Sequence, residues 1–172
     1  MSQEDTPYRG RRIVTGHDAT GASVMLAAEA PPHSRTLPGA RFYEIWGTDR
    51  SPAPIGSVPA EEPTSDRPAI HPREGGSAIR IIDFLPAGRG GVRSPMHRTS
   101  TVDYGIVLEG EMVLILTESE VALKTGDVVV QRGTDHAWEN RSDRIARMAF
   151  VLLHGEFSEE LRARLPDLHL MP

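Results

Sequence analysis

The chain has 172 residues, a formal net charge of −5 and no cysteine. That length fits one domain, which would bury roughly 70 % of the unfolded chain's surface. The acidic balance argues against a phosphate-tracking nucleic-acid binder, and the missing thiols exclude a disulfide framework, a zinc–thiolate site and a cysteine nucleophile.

The first dozen residues are polar and lack an apolar signal-peptide core. No apolar run approaches about 18 residues, so no membrane helix is expected and the expected location is cytoplasmic. With 16 glycines and 14 prolines, the composition suits short strands joined by turns.

Taken in chain order, residues 11–16 and 22–29 read as a strand pair around the turn His17–Gly21. Residues 30–40 hold three prolines and a glycine and read as a connector. Residues 41–48 read as a strand rich in β-formers, with Tyr43 and Trp46 on opposite faces. Residues 50–78 hold six prolines and the pair Gly75–Gly76. A breaker-rich stretch of that length is either an ordered wrap or lid, or a mobile linker.

From residue 79 the pattern changes. Strand-like runs recur at 79–85, 103–109, 112–117, 121–124, 127–131, 136–140 and 145–153, separated by turn signals. Such spacing indicates an all-β sandwich or barrel. Ile106, Leu108, Val113, Ile115, Val128, Val130, Phe150 and Leu152 read as barrel packing. Ser158 can cap a short helix in which Leu161 and Leu165 share a face and Pro166 stops the turn. One structural domain is expected: residues 1–78 as N-terminal strands and a proline-rich loop packed on the barrel, 79–156 as the barrel, 157–172 as a helix and tail.

Five of the seven histidines, His17, His33, His71, His154 and His169, lie in turns, loops, a strand end or the tail and read as surface residues. His97 and His136 differ. His97 and Thr99 share a face by strand parity, and Asp103 opens an apolar strand just beyond. His136 begins a strand with Trp138 on the same face. Two imidazoles and one carboxylate on the inside of a barrel make a two-His-one-carboxylate metal set with open coordination positions. The competing reading is a pair of hydrogen-bonded polar residues near a barrel mouth. Trp138 is either a wall that stacks on a planar substrate or ordinary core. Gln131 would bond a substrate oxygen or cap a turn, Tyr43 is a candidate lining residue, and Arg98 should point away from His97 into solvent.

Residues 91–140 resemble the two motifs of the cupin superfamily. The first is carried by Gly91, His97, Thr99, Asp103 and Gly110, the second by Gly126, Gln131, Gly133, His136 and Asn140. The departures are specific. Thr99 stands where the family has a second histidine, Asp103 where it has glutamate and Gln131 where it has proline, and the Gly126–Gly133 gap is one residue short. The resemblance implies a double-stranded β-helix barrel with extra N-terminal strands. It implies one divalent ion (Fe, Zn, Ni or Mn) on His97, Asp103 and His136, which would also be the catalytic residues, with Thr99, Trp138, Gln131 and Tyr43 toward a small oxygenated substrate. It implies a homodimer formed through the N-terminal strands. Oxygenase, decarboxylase, isomerase and lyase chemistry all occur on this fold, as do non-catalytic ligand binders and metal-free isomerases or cyclases, so the fold does not choose the reaction. The chain also looks like stand-alone bacterial and fungal cupins of unassigned activity.

Overall fold

The structure is a computed structural model and describes residues 7–59, 61–65 and 70–165. Eleven strands and one short helix follow in order: β1 (Arg12–His17), β2 (Ser23–Glu29), β3 (His33–Leu37), β4 (Ala40–Thr48), β5 (Ser77–Phe84), β6 (Thr101–Glu109), β7 (Glu111–Leu116), β8 (Glu120–Lys124), β9 (Val128–Arg132), β10 (His136–Glu139), β11 (Ala146–His154) and α1 (Glu159–Arg164). They form a six-stranded sheet β3-β4-β5-β11-β6-β9, a three-stranded sheet β10-β7-β8 and the hairpin β1-β2. Every pairing is antiparallel.

The two larger sheets enclose one apolar core. Ile82, Phe84, Val107, Met148, Phe150 and Leu152 come from the six-stranded sheet; Met112, Leu114, Leu123 and Trp138 come from the three-stranded one. This is the double-stranded β-helix that the motif resemblance implied, within the sandwich-or-barrel class expected from the strand rhythm. Tight turns demand positive φ at Gly110 (78°) and Gly126 (96°), where a side chain would be strained.

The hairpin β1-β2 is fastened by Arg12, which is 6 % exposed and donates to Glu29, to both carboxylate oxygens of Glu62 and to the Ile45 carbonyl. The Glu62 carboxyl is held down at about 2, chiefly by that hydrogen bond from Arg12. Part of the proline-rich stretch is thus clamped against the hairpin.

The chain departs from the strand pattern expected of its sequence in several places. The connector 30–40 contains β3, which pairs with β4 and extends the same sheet as β5. His33, read as a loop residue, opens β3 opposite Glu44. A bulge between Glu44 and Trp46 lets Tyr43 pair with Ile81 and Trp46 with Ile79, so both aromatics face the same side. An extra residue in one strand inverts side-chain parity, which simple alternation misses. Leu108, Val128 and Val130 are 43 %, 58 % and 57 % exposed rather than packed, because they lie on the outer face near the β9 edge of the sheet. Leu161 is 41 % exposed and α1 buries no residue, so its apolar face covers nothing among the described residues. Ser158 does cap it, accepting from the Leu161 amide at 3.2 Å. Pro166 and His169 lie outside the described residues.

Candidate functional site

The two candidate histidines meet through the backbone. His97 and His136 exchange N–H···O bonds of 2.9 Å in each direction, an isolated antiparallel bridge that lays the segment before β6 against β10. Their rings lie 4.0 Å apart, inclined by 53°. His97 Nδ1 is 2.9 Å from the Pro95 carbonyl and His136 Nδ1 is 2.9 Å from the Thr134 carbonyl. A carbonyl can only accept, so each Nδ1 carries the proton and each Nε2 keeps its lone pair.

Asp103 on β6 and Gln131 on β9 are register partners on the inner face. The Gln131 amide donates to Asp103 Oδ2 at 3.0 Å and to His136 Nε2 at 3.1 Å. Thr99 and Thr101 hydroxyls bond each other at 2.7 Å. Two hydrogen-bonded groups result, Thr99–Thr101 and Asp103–Gln131–His136. All five are buried, whereas His97 is half-buried and brings the cluster to solvent.

Burial sets the protonation states. Desolvation pushes the Asp103 carboxyl up to about 6, against hydrogen bonds from Thr101 and Gln131 and the Arg80 charge. Desolvation, then the neighbouring charge of His97, hold His136 down at about 4, so it is neutral at physiological pH.

Trp138 takes the core role of the two left open by the sequence, and its ring also meets His136. It belongs to the core, with its ring 5.3 Å from that of Phe150, and it stands edge-on to His136 at 6.1 Å. Tyr43 is not brought to the site. It packs with Ile81 and Ala149 on the opposite face of the sheet, where its hydroxyl donates to Asp83 at 3.3 Å. Arg98 is not solvated either. It is 7 % exposed and ion-paired with Asp135, which ties the His97 segment to the β9–β10 turn.

Two inner-face residues escaped the sequence reading, Glu44 and Arg80. They are register partners, each 4 % exposed, with Arg80 Nε 3.4 Å from Glu44 Oε2. The signal was present: Arg80 shares parity with the core residues Ile82 and Phe84, so it could only point inward.

Cupin barrels commonly hold a metal, and the donor set here fits one chemically. Each Nδ1–carbonyl bond leaves the Nε2 lone pair as the ligating position, the usual support of a metal-bound histidine, though Gln131 occupies that of His136, and Asp103 Oδ1 is buried without a partner. As folded, the Gln131 amide sits between Asp103 and His136, and no three His, Asp or Glu side chains among the described residues are grouped to hold one ion. Clefts of about 470 and 290 Å³ lie elsewhere, by β7–β8 and between the hairpin and the proline-rich stretch. Chemistry rather than hollow volume thus marks the histidine site.

Known proteins agree with this architecture. The family described as Cupin domain matches residues 85–152. The chain is 40 % identical over 153 residues to Phomopsin biosynthesis cluster protein C' of Diaporthe leptostromiformis, spanning 84 % of this chain and 78 % of the relative. It is 38 % identical over 149 residues to the cupin-domain-containing oxidoreductase fogC of Aspergillus ruber, spanning 83 % and 71 %. It is 33 % identical over 163 residues to Oryzines biosynthesis cluster protein J of Aspergillus oryzae, spanning 91 % and 88 %. Among solved structures, the cupin domain of Schizosaccharomyces pombe Cnp3 shares the fold at a TM-score of 0.50 and 12 % identity, over 94 % of this chain and 97 % of that one. With its motif residues on the inner strands of a double-stranded β-helix and relatives this similar over most of its length, the chain belongs to the cupin family.

Proposed function

We infer that this cupin is an enzyme acting on a small oxygenated organic molecule at the inner face of its barrel, with His97, His136 and Asp103 as the reacting groups. The observation that carries the reading is the pair of imidazoles, each with Nδ1 on a backbone carbonyl, of which His136 is joined through Gln131 to the buried Asp103 carboxyl. His97, His136 and Asp103 would hold one divalent ion once the Gln131 amide turns away from Asp103 and His136. When bound there, an iron, zinc, nickel or manganese ion would supply Lewis-acid or redox chemistry at a substrate oxygen. Trp138 walls the site, and the Thr99 and Thr101 hydroxyls bond each other. The names of the relatives favour an oxidation within a biosynthetic cluster over the decarboxylase, isomerase and lyase alternatives.

The test is metal content in protein purified without a nickel column, compared with His97→Ala and His136→Ala. About one equivalent in the wild type, falling 10–100-fold or more in affinity in both variants, is the expected result. Unchanged metal content in both variants would place any metal elsewhere.

A second reading has its own observation. Gln131 bonds both Asp103 and His136 as folded, an arrangement suited to a metal-free isomerase or cyclase in which Asp103 exchanges a proton with the ligand. Turnover that survives exhaustive chelation but is lost in Asp103→Asn would favour it. The cupin would also pair with a second copy: β1-β2 form a sheet of their own, in ladder register with neither larger sheet, and Ile13 and Met25 on it are 51 % and 65 % exposed. Light scattering at micromolar concentration should give twice the chain mass.

A further inference from the structure

The inner face of the barrel carries polar groups beyond the two motifs. Glu44 and Arg80 form a buried pair, and Arg80 Nη1 also donates to the Ile70 carbonyl at 3.1 Å. The Arg80 charge acts on both Glu44 and Asp103, and Arg35 and His33 act on Glu44 from β3. Two guanidinium groups thus face two carboxylates, and the cluster is close to electrically neutral.

Its hydrogen bonding is incomplete: on the donor side Arg35 Nε is buried without a partner. Among the described residues, three buried side-chain oxygens have no hydrogen-bond partner: Glu44 Oε1, Asp103 Oδ1 and Gln131 Oε1. Their residues are 4 %, 5 % and 5 % exposed. All three are acceptors on the inner face of one sheet, on β4, β6 and β9. Turning the Gln131 amide over does not help. Its oxygen would then face the His136 Nε2 lone pair and the Asp103 carboxylate, both acceptors. A buried acceptor left without a donor is costly, and each one in a native protein calls for an explanation.

We propose that this end of the barrel binds a neutral small molecule bearing two or more hydroxyl donors, a diol or diphenol in preference to a carboxylate. The proposal rests on the barrel interior being the ligand site. One hydroxyl donates to Glu44 Oε1 and a second to Asp103 Oδ1 or Gln131 Oε1. A carboxylate ligand would bring a third negative charge against Glu44 and Asp103 and no proton for any of the three oxygens. Glu44 and Arg80 are therefore specificity residues, and neither is a cupin-motif position.

The test is calorimetric titration of metal-depleted protein with resorcinol, phenol and benzoate, which differ in donor number and charge and do not chelate a metal as a vicinal diol would. Resorcinol should bind, phenol should bind about tenfold more weakly, the factor carried by one net hydrogen bond, and benzoate should not bind measurably. In Glu44→Leu/Arg80→Met, which removes both charges together and so avoids an unpaired buried ion, resorcinol should fall to the phenol level. Benzoate binding as tightly as resorcinol, no binding of resorcinol, or an unchanged double variant would each overturn the proposal. The wild-type ranking decides the matter even if the double variant fails to fold. Zinc titration of the same wild-type protein reports separately on the histidine pair. Zinc uptake without resorcinol binding removes this inference alone, whereas resorcinol binding without zinc uptake removes the metal reading alone.

Discussion

Asp83 and Asp103 are both buried aspartates on strands of the same sheet, 1 % and 5 % exposed, but they face opposite sides. Asp83 on the outer face accepts from the Tyr8 amide at 3.0 Å, from the Tyr43 hydroxyl at 3.3 Å, and from Arg147 Nε and Nη2 at 2.6 and 3.2 Å. Each of its oxygens is occupied. Asp103 on the inner face has one oxygen bonded to Gln131 and the other without a partner. Saturation marks a group that holds the fold together. A deficit marks a group kept for something else, because folding alone would favour filling it.

Breaking the saturated aspartate should have the largest effect. Asp83→Asn leaves Arg147 facing an amide in a half-closed site and should destabilise the protein by about 3–5 kcal/mol, read by urea denaturation. Retained stability would show that the outer network contributes little and that the contrast between the two aspartates is false.

The under-satisfied aspartate should respond in the opposite sense. Its folded pKa is raised to about 6, so its neutral form is favoured in the fold. Stability from this group is fully present below its unfolded value and is lost as pH rises from about 4 through 6. Asp103→Asn should therefore stabilise the protein above pH 6, by on the order of 1–3 kcal/mol, and give no such gain at pH 4. Denaturation at the two pH values checks the sign. A loss of stability at pH 7 would mean that Asp103 is structural after all.

His136 sharpens the same comparison from the other side. Its folded pKa is lowered to about 4, so the unfolded chain binds the proton more readily. Stability should fall as pH drops from about 6.5 through 4, and His136→Gln should flatten that slope by on the order of 1–3 kcal/mol. Equal slopes in the two proteins would show that the ring is not held neutral.

The smallest expected effect lies at the clamp of the hairpin. Glu62 is depressed to about 2, so its contribution is present above about 4.5 and is lost as pH falls toward 2. Its side chain is 37 % exposed, and solvent screening keeps the contribution within about 1 kcal/mol. Glu62→Gln should release the proline-rich stretch to limited proteolysis while leaving the melting of the barrel nearly unchanged. Identical cleavage of variant and wild type would remove the clamp as a fastening.

Strand rhythm and turn chemistry in the sequence were enough to specify an all-β sandwich or barrel, since alternating apolar residues bounded by glycine turns have few other ways to bury one face. The same pattern singled out His97, Asp103 and His136, because polar residues at inward parity in apolar strands are conspicuous. Residues 30–40 hid a strand behind prolines, and the bulge at Ile45 placed Trp46 beside Tyr43, since neither pairing partner nor bulge is written in a single strand's alternation. Val128 and Val130 are as apolar as Val129, so the register of β9 on β6, which sets the face each one takes, decided which of them met water. Arg98 found Asp135 across 37 residues of chain, and Gln131 found Asp103 across 28. Residue types and parity are local and legible along the chain. Which buried oxygens end up satisfied depends on groups that meet only when distant strands pair, and that was decided by the tertiary structure alone.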